Sequence, residues 1–146
     1  MKVAIGSDHR GFPLKVRITE FLSKEGHGIL DLGTNGTDSV DYPDFAIPVA
    51  EKVASGEVDR GILICGSGIG MSIAANKVSG VRASLCKTAG DAEMTRLHND
   101  SNVLALSEKS ADDPAIEELV RIWLETPFEG GRHLRRINKI HEYESR

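Results

Sequence analysis

Short runs of apolar, often β-branched residues alternate along the chain with longer stretches whose apolar positions recur every three or four residues. Lys2 to Ser7 reads as a buried strand, and Leu14, Ile18, Phe21 and Leu22 then follow helical spacing, with Gly26 as a C-cap. His27 to Leu32 is a second strand. Gly33 to Asp44 is a turn-rich loop, long enough to suggest function. Val49, Ala50 and Val53 predict a helix over Phe45 to Ser55, where Pro48 belongs in the first turn or at a kink. Arg60 to Cys65 is a third strand, and Met71 to Lys77 can start a helix. A fourth strand is predicted over Val81 to Leu85, a helix over Gly90 to Leu97, and a fifth strand over Asn102 to Leu106. Asp113-Pro114 supplies cap and N1 residues for a helix through Trp123. After Pro127 and Gly130-Gly131 comes a final basic helix, Arg132 to Tyr143.

Strands alternating with helices imply a parallel sheet covered on both faces. The expected architecture is a doubly wound, Rossmann-like five-stranded α/β fold with a C-terminal helix, forming one domain over residues 1–146. Such folds bind ligands beyond the carboxyl ends of their strands. Three polar clusters fall there: Ser7-Asp8-His9-Arg10, Cys65 to Gly70, and Lys109.

Composition narrows the function. A formal net charge of −4 argues against a general nucleic-acid binder. No apolar run approaches the roughly 20 residues that span a bilayer, so no membrane partner is expected. The N-terminus opens on a strand without a secretory h-region, which makes the cytoplasm the expected compartment. Cys65 and Cys86 are too few for a disulfide framework, and neither has a second Cys or His at zinc-ligand spacing.

Ile62-Leu63-Ile64-Cys65-Gly66-Ser67-Gly68-Ile69-Gly70-Met71 is the most informative segment. Read as strand, turn and helix, it places a thiol beside backbone N–H groups suited to a phosphate or a developing oxyanion. It is not a dinucleotide fingerprint, because the third glycine of that pattern falls where this chain has Met71. The bland reading is a tight turn, with Cys65 a small core residue. Cys86 lacks such surroundings and reads as core. His98, near the end of the fourth helix, is accounted for equally by the helix dipole or by chemistry. Asp8 and His9 either cap the next helix or face a ligand. Arg132 and Arg136 share one face at the start of the last helix, where the dipole disfavours cations unless an anion offsets them.

Gly6-Ser7-Asp8-His9-Arg10-Gly11, Asp41-Tyr42-Pro43-Asp44, the Cys65 segment and Ala74-Ala75-Asn76-Lys77 recur in one order with His98-Asn99-Asp100-Ser101-Asn102-Val103-Leu104 and Phe128-Glu129-Gly130-Gly131-Arg132-His133. In that order and spacing they resemble the type B ribose-5-phosphate isomerase family, which includes the subunits of galactose-6-phosphate isomerase. The resemblance implies aldose–ketose isomerisation of a sugar phosphate, with no metal and no organic cofactor. By the same resemblance Cys65 is the base moving a proton between C2 and C1, and Ser67 assists at O1 and O2. The N–H groups around Gly66, Gly68 and Gly70 hold the enediolate oxygen. His98 opens the furanose ring, Asp8, Tyr42 and Asn99 hold hydroxyls, and His9, Arg132 and Arg136 bind phosphate. A homodimer, or a dimer of dimers, with sites built from both subunits is also implied.

One segment departs from the family. Many relatives place a glycine and then an arginine after the fifth strand, where this chain has Ser107-Glu108-Lys109-Ser110. Lys109 supplies charge without a fork, and Glu108 is unexpected beside an anion. The leading expectation is ribose 5-phosphate/ribulose 5-phosphate isomerisation. Galactose 6-phosphate, allose 6-phosphate and a tetrose phosphate are the alternatives within the class. A non-catalytic nucleotide- or flavin-binding module is the alternative from another class. A phosphoacceptor signalling domain needs an acidic pair after the first strand and an aspartate ending the third, and the chain has Ser7-Asp8 and Cys65 there.

Overall fold

The computed structural model describes residues 1–146. Its five strands form one sheet in the order β2-β1-β3-β5-β4, with every pairing parallel. The middle strands are β1 (Lys2–Ser7), β3 (Arg60–Cys65) and β5 (Val103–Ser107), and the edges are β2 (Gly28–Asp31) and β4 (Ala83–Leu85). All five residues of β5 are buried, as are the last five of β1 and of β3. Burial on both faces explains why these strands read as continuous apolar runs rather than alternating ones.

Helices cover both faces, as expected. On one, α1 (Phe12–Lys24), α4 (Ala89–Asn99) and α5 (Ile116–Glu125) enclose Ile5, Ile62, Ile64, Leu104, Leu106 and Trp123. On the other, α2 (Pro43–Ala54) and the short α3 (Ile69–Ala75) pack on Ala4, Leu63, Cys65, Val103 and Ala105. Side chains alternate along a strand, so Ile64 and Cys65 face opposite layers and the thiol points to the α2/α3 side. Glycines let α2 close on the sheet: a Cβ on Gly61 would lie 2.8 Å from Val49 Cγ1. The last helix, α6 (Arg132–Glu144), packs beside α4.

Some boundaries move, for local reasons. Helix α2 starts at Pro43 rather than Phe45, which leaves Pro48 in its second turn instead of its first. Strand β4 starts at Ala83 rather than Val81, and the Asn76 side chain pairs with its outer edge. Asn76 Nδ2 donates to Ala83 O at 3.0 Å, and Ala83 N donates to Asn76 Oδ1 at 2.7 Å. Helix α5 starts at Ile116 rather than at Asp113-Pro114. The Asp113 side chain instead accepts the Ala115 N–H at 2.8 Å, closing a turn ahead of the helix. Helix α3 starts two residues earlier than expected, directly after Gly68 in the left-handed conformation.

The chain leaves β1 toward β2 on one side and returns to β3 on the other. The carboxyl ends of β1 and β3 therefore flank the crevice at which doubly wound sheets hold ligands.

Candidate active site

Cys65 ends β3, is almost fully buried, and its Sγ accepts the Gly68 N–H at 3.2 Å. The turn that follows requires its glycines. Gly68 has φ +79°, and a Cβ there would lie 2.6 Å from Leu85 Cδ1 and 3.0 Å from the Leu106 carbonyl. A Cβ on Gly70 would strike the Tyr42 ring at 2.8 Å, so the phenol lies directly over the start of α3. The amides of Gly66, Ser67 and Gly70 donate to no acceptor within the chain. Ser67 Oγ accepts the Ile69 N–H at 3.2 Å, which leaves its hydroxyl proton free to donate.

Those groups line a cleft of about 280 Å³ bounded by Arg10, Tyr42, Cys65, Gly66, Ser67, Gly70 and Lys109. A larger hollow along α6 is lined by surface residues such as Arg135, Asn138 and Glu142 and holds no comparable constellation. Asp8 Oδ1 accepts the amides of Arg10 at 3.0 Å and Gly11 at 2.9 Å, so one oxygen caps the loop into α1. His9 Nδ1 accepts the Val40 N–H at 3.2 Å, which places the proton of the neutral ring on Nε2. Ser107 Oγ donates to Gly66 O at 2.8 Å and accepts Lys109 N–H at 3.1 Å, tying the end of β5 to the Cys65 turn. Cys86 contrasts with Cys65: burial, then the nearby Asp91, pushes its thiol up to about 12, so it stays protonated in the core.

The other expected site residues lie at the opposite end of the sheet. Helix α4 runs back from the carboxyl end of β4 to the amino end of β5, so His98 and Asn99 sit at the amino edge. Arg82, just before β4, confirms the placement by donating to Asn99 O at 2.9 Å. Glu129 N donates to Leu97 O at 3.1 Å, which brings the start of α6, with Arg132 and Arg136, to the same end. The strands between the two groups give a sheet roughly 15 Å deep. One chain therefore gathers Asp8, His9, Tyr42, Cys65, Ser67, its glycines and Lys109 at one end, and His98, Asn99, Arg132 and Arg136 at the other.

At that far end the His98 and His133 rings stack, centroids 4.3 Å apart and planes 15° from parallel. Glu129 Oε2 is 3.9 Å from His98 Nε2 and 3.8 Å from His133 Nε2. Burial holds His133 below the ordinary histidine range, and the charges of Arg132, His98 and Arg136 add to this against the pull of Glu129. The ligand atoms of these three residues lie within 4.8 Å of one another. Nearly parallel rings send their lone pairs side by side, however, and a tetrahedral metal needs them to converge. Glu129, 3.9 Å from Arg132, also offsets the cation at the start of α6.

The resemblance assigns no role to Arg10, Glu108, Glu129 or His133. Arg10 was visible in the loop after β1. Its partner Glu108 is 98 residues away, and only the fold brings them together.

A thiol and unpaired amides at the carboxyl edge of a doubly wound sheet have the form of an enzyme site suited to a small anion. A family model described as Ribose/Galactose Isomerase matches residues 3–140, and the chain belongs to that family. It is similar to the structure of Clostridium thermocellum ribose-5-phosphate isomerase B, at 53% identity and TM-score 0.96, covering 99% of this chain and 98% of that one. Escherichia coli ribose-5-phosphate isomerase B is 46% identical over 99% of this chain and 97% of its own length. The Mycoplasma genitalium ribose-5-phosphate isomerase B crystallised with bound ribulose-5-phosphate is 45% identical, with TM-score 0.94, over 99% and 96%. The binding-module alternative is thereby replaced by an isomerase.

Proposed function

We propose that this isomerase interconverts ribose 5-phosphate and ribulose 5-phosphate, with Cys65 as the base. The observation that carries the reading is the Cys65 sulfur set beside the unpaired amides of Gly66, Ser67 and Gly70, in a cleft bearing Arg10 and Lys109. The Cys65 thiolate takes the C2 proton of the open-chain aldose. The C2 electron pair forms the C1–C2 double bond and the carbonyl electrons move to O1. The amides hold that oxyanion, a charge that exists only during reaction. A proton passes from O2 to O1, with the Ser67 hydroxyl as its relay, while Cys65 returns its proton to C1. No electron acceptor is needed, because oxidation at C2 balances reduction at C1.

Ring opening and part of the phosphate binding fall to a second copy of the chain. His98, Asn99, Arg132 and Arg136 sit at the wrong end of the sheet to reach their own Cys65. A two-fold homodimer that sets the amino edge of one subunit against the carboxyl edge of the other completes two equivalent sites. Exposed apolar residues on α3 (Ile69, Ile73) and α6 (Leu134, Ile140) offer such a pairing its surface. No helix is long and apolar enough to cross a membrane, and both thiols are free and buried, in keeping with a reducing cytoplasm.

The test is kcat/KM across pentose, hexose and tetrose phosphates. The expected ranking puts ribose 5-phosphate first. A preference for galactose 6-phosphate, allose 6-phosphate or a tetrose phosphate would reassign the substrate, and turnover of none would sink the reading.

A further inference from the structure

The guanidinium that lines the Cys65 cleft is already held by a carboxylate. Arg10 Nη2 donates to Glu108 Oε1 at 3.0 Å, the side chains being 58% and 32% exposed. An ion pair this open contributes little to stability and is readily exchanged. The same guanidinium lies against the Cys65 turn, since a Cβ on Gly66 would meet Arg10 Nη1 at 2.8 Å. Glu108 and Lys109 belong to a single 3₁₀ turn, Glu108–Ser110, anchored through Ser107 to Gly66 O. Two cations and one anion thus meet at one edge of the cleft, next to the unpaired amides.

We infer that Arg10 binds the substrate phosphate and that Glu108 is a built-in competitor for it. The inference rests on the proposed sugar-phosphate reading of the cleft. Lys109 offers a point charge, and Arg10 supplies the planar fork that Lys109 lacks. In the empty site Glu108 occupies that fork as a singly charged carboxylate. A phosphate carrying nearly two charges and three acceptor oxygens displaces it, whereas a singly charged sugar acid meets it on equal terms. Glu108 therefore sets specificity for a dianion, at some cost in absolute affinity.

The experiment compares wild type with Arg10→Ala, Arg10→Lys, Glu108→Gln and the double variant Arg10→Ala/Glu108→Gln. Ribose 5-phosphate kinetics and calorimetric titration with inorganic phosphate are the readouts. Arg10→Ala should raise KM about 10- to 100-fold with kcat nearly unchanged, the signature of lost uniform binding. Arg10→Lys should fall between it and wild type. Glu108→Gln should lower both KM and the phosphate Kd several-fold, and that gain should vanish once Arg10 is alanine. A KM for Arg10→Ala within twofold of wild type overturns the inference, as does an equal Glu108→Gln gain with and without Arg10. Calorimetry separates the two failures. Phosphate affinity lost in Arg10→Ala without turnover of any sugar phosphate sinks the substrate reading and keeps this one. Turnover with KM and phosphate Kd unmoved by Arg10→Ala does the reverse.

Discussion

His98 and His133 stack beside one carboxylate, with Glu129 Oε2 3.9 Å from Nε2 of the first ring and 3.8 Å from Nε2 of the second. His133 is the inner ring, and its Nε2 has no hydrogen-bond partner. Burial disfavours a charged His133 ring, and the nearby Arg132, His98 and Arg136 disfavour it further.

That environment makes a stability prediction. A histidine held below its unfolded value binds its proton more readily in the unfolded chain. Its neutral native form is therefore fully favoured above about pH 6.5 and becomes a liability as pH falls from there toward the depressed native value. Urea unfolding of wild type should show stability falling between pH 7.5 and 5.5. His133→Phe keeps a flat ring in the stack and should lose part of that slope. An unchanged slope in His133→Phe would assign the acid sensitivity to other groups.

The two cysteines should separate cleanly. Cys65→Ala is expected to lower kcat by about 10²- to 10⁴-fold with little change in KM, as for loss of a positioned acid/base. Cys86→Ala should leave kcat nearly untouched and cost on the order of 1 kcal/mol of stability from its buried position. Retention of more than half of the wild-type kcat by Cys65→Ala would remove Cys65 from the role of base.

Gly68 and Gly130 offer a matched pair for backbone strain. Both have positive φ, +79° and +72°, but an added Cβ at Gly130 has no neighbour within 4 Å. Gly130→Ala should therefore show the left-handed penalty alone, roughly 1–2 kcal/mol. Gly68→Ala adds a 3.0 Å approach to the Leu106 carbonyl, which is backbone and cannot swing aside. It also disturbs the amide that donates to Cys65 Sγ. Denaturant melts should rank Gly68→Ala well below Gly130→Ala, with activity lost only in the former. Equal stability of the two would mean that the turn relaxes around the methyl.

The middle of the sheet was legible because central parallel strands are buried on both faces and so rich in apolar residues, and β3 spans the expected Arg60–Cys65. What moved was decided by side chains that compete for backbone groups. Asn76 takes the free edge of β4, and Asp113 closes a turn where a helix start was expected. Lys15 illustrates a different gap. It lies on the inner face of α1 and is buried, its Nζ 2.6 Å from Asp31 Oδ1 and 3.1 Å from Asn35 Oδ1. No periodicity announces that a lysine is inside, since its partners lie 16 and 20 residues on. The same holds for the site. Motifs at strand ends could be placed at the carboxyl edge from element order alone. That His98 and Arg132 fall at the other edge follows from the direction of α4, which a motif does not carry.

That separation yields the most discriminating prediction. Cys65 ends β3 at the carboxyl edge, and Arg136 lies on α6, whose start is tied by Glu129 to the end of α4 at the amino edge. If each site takes Cys65 from one chain and Arg136 from the other, Cys65→Ala and Arg136→Ala homodimers should each be nearly inactive at substrate concentrations below KM. Mixed in equal amounts, unfolded and refolded together, they should recover activity. Random pairing makes half of the dimers mixed, and each mixed dimer has one intact site and one doubly damaged site, so recovery should approach about a quarter of wild type. Native mass spectrometry, with one variant isotopically labelled, would establish that mixed dimers formed. Mixed dimers without recovery would mean that Cys65 and Arg136 of the same chain serve one site, which would require α6 to leave the amino edge when the subunits associate.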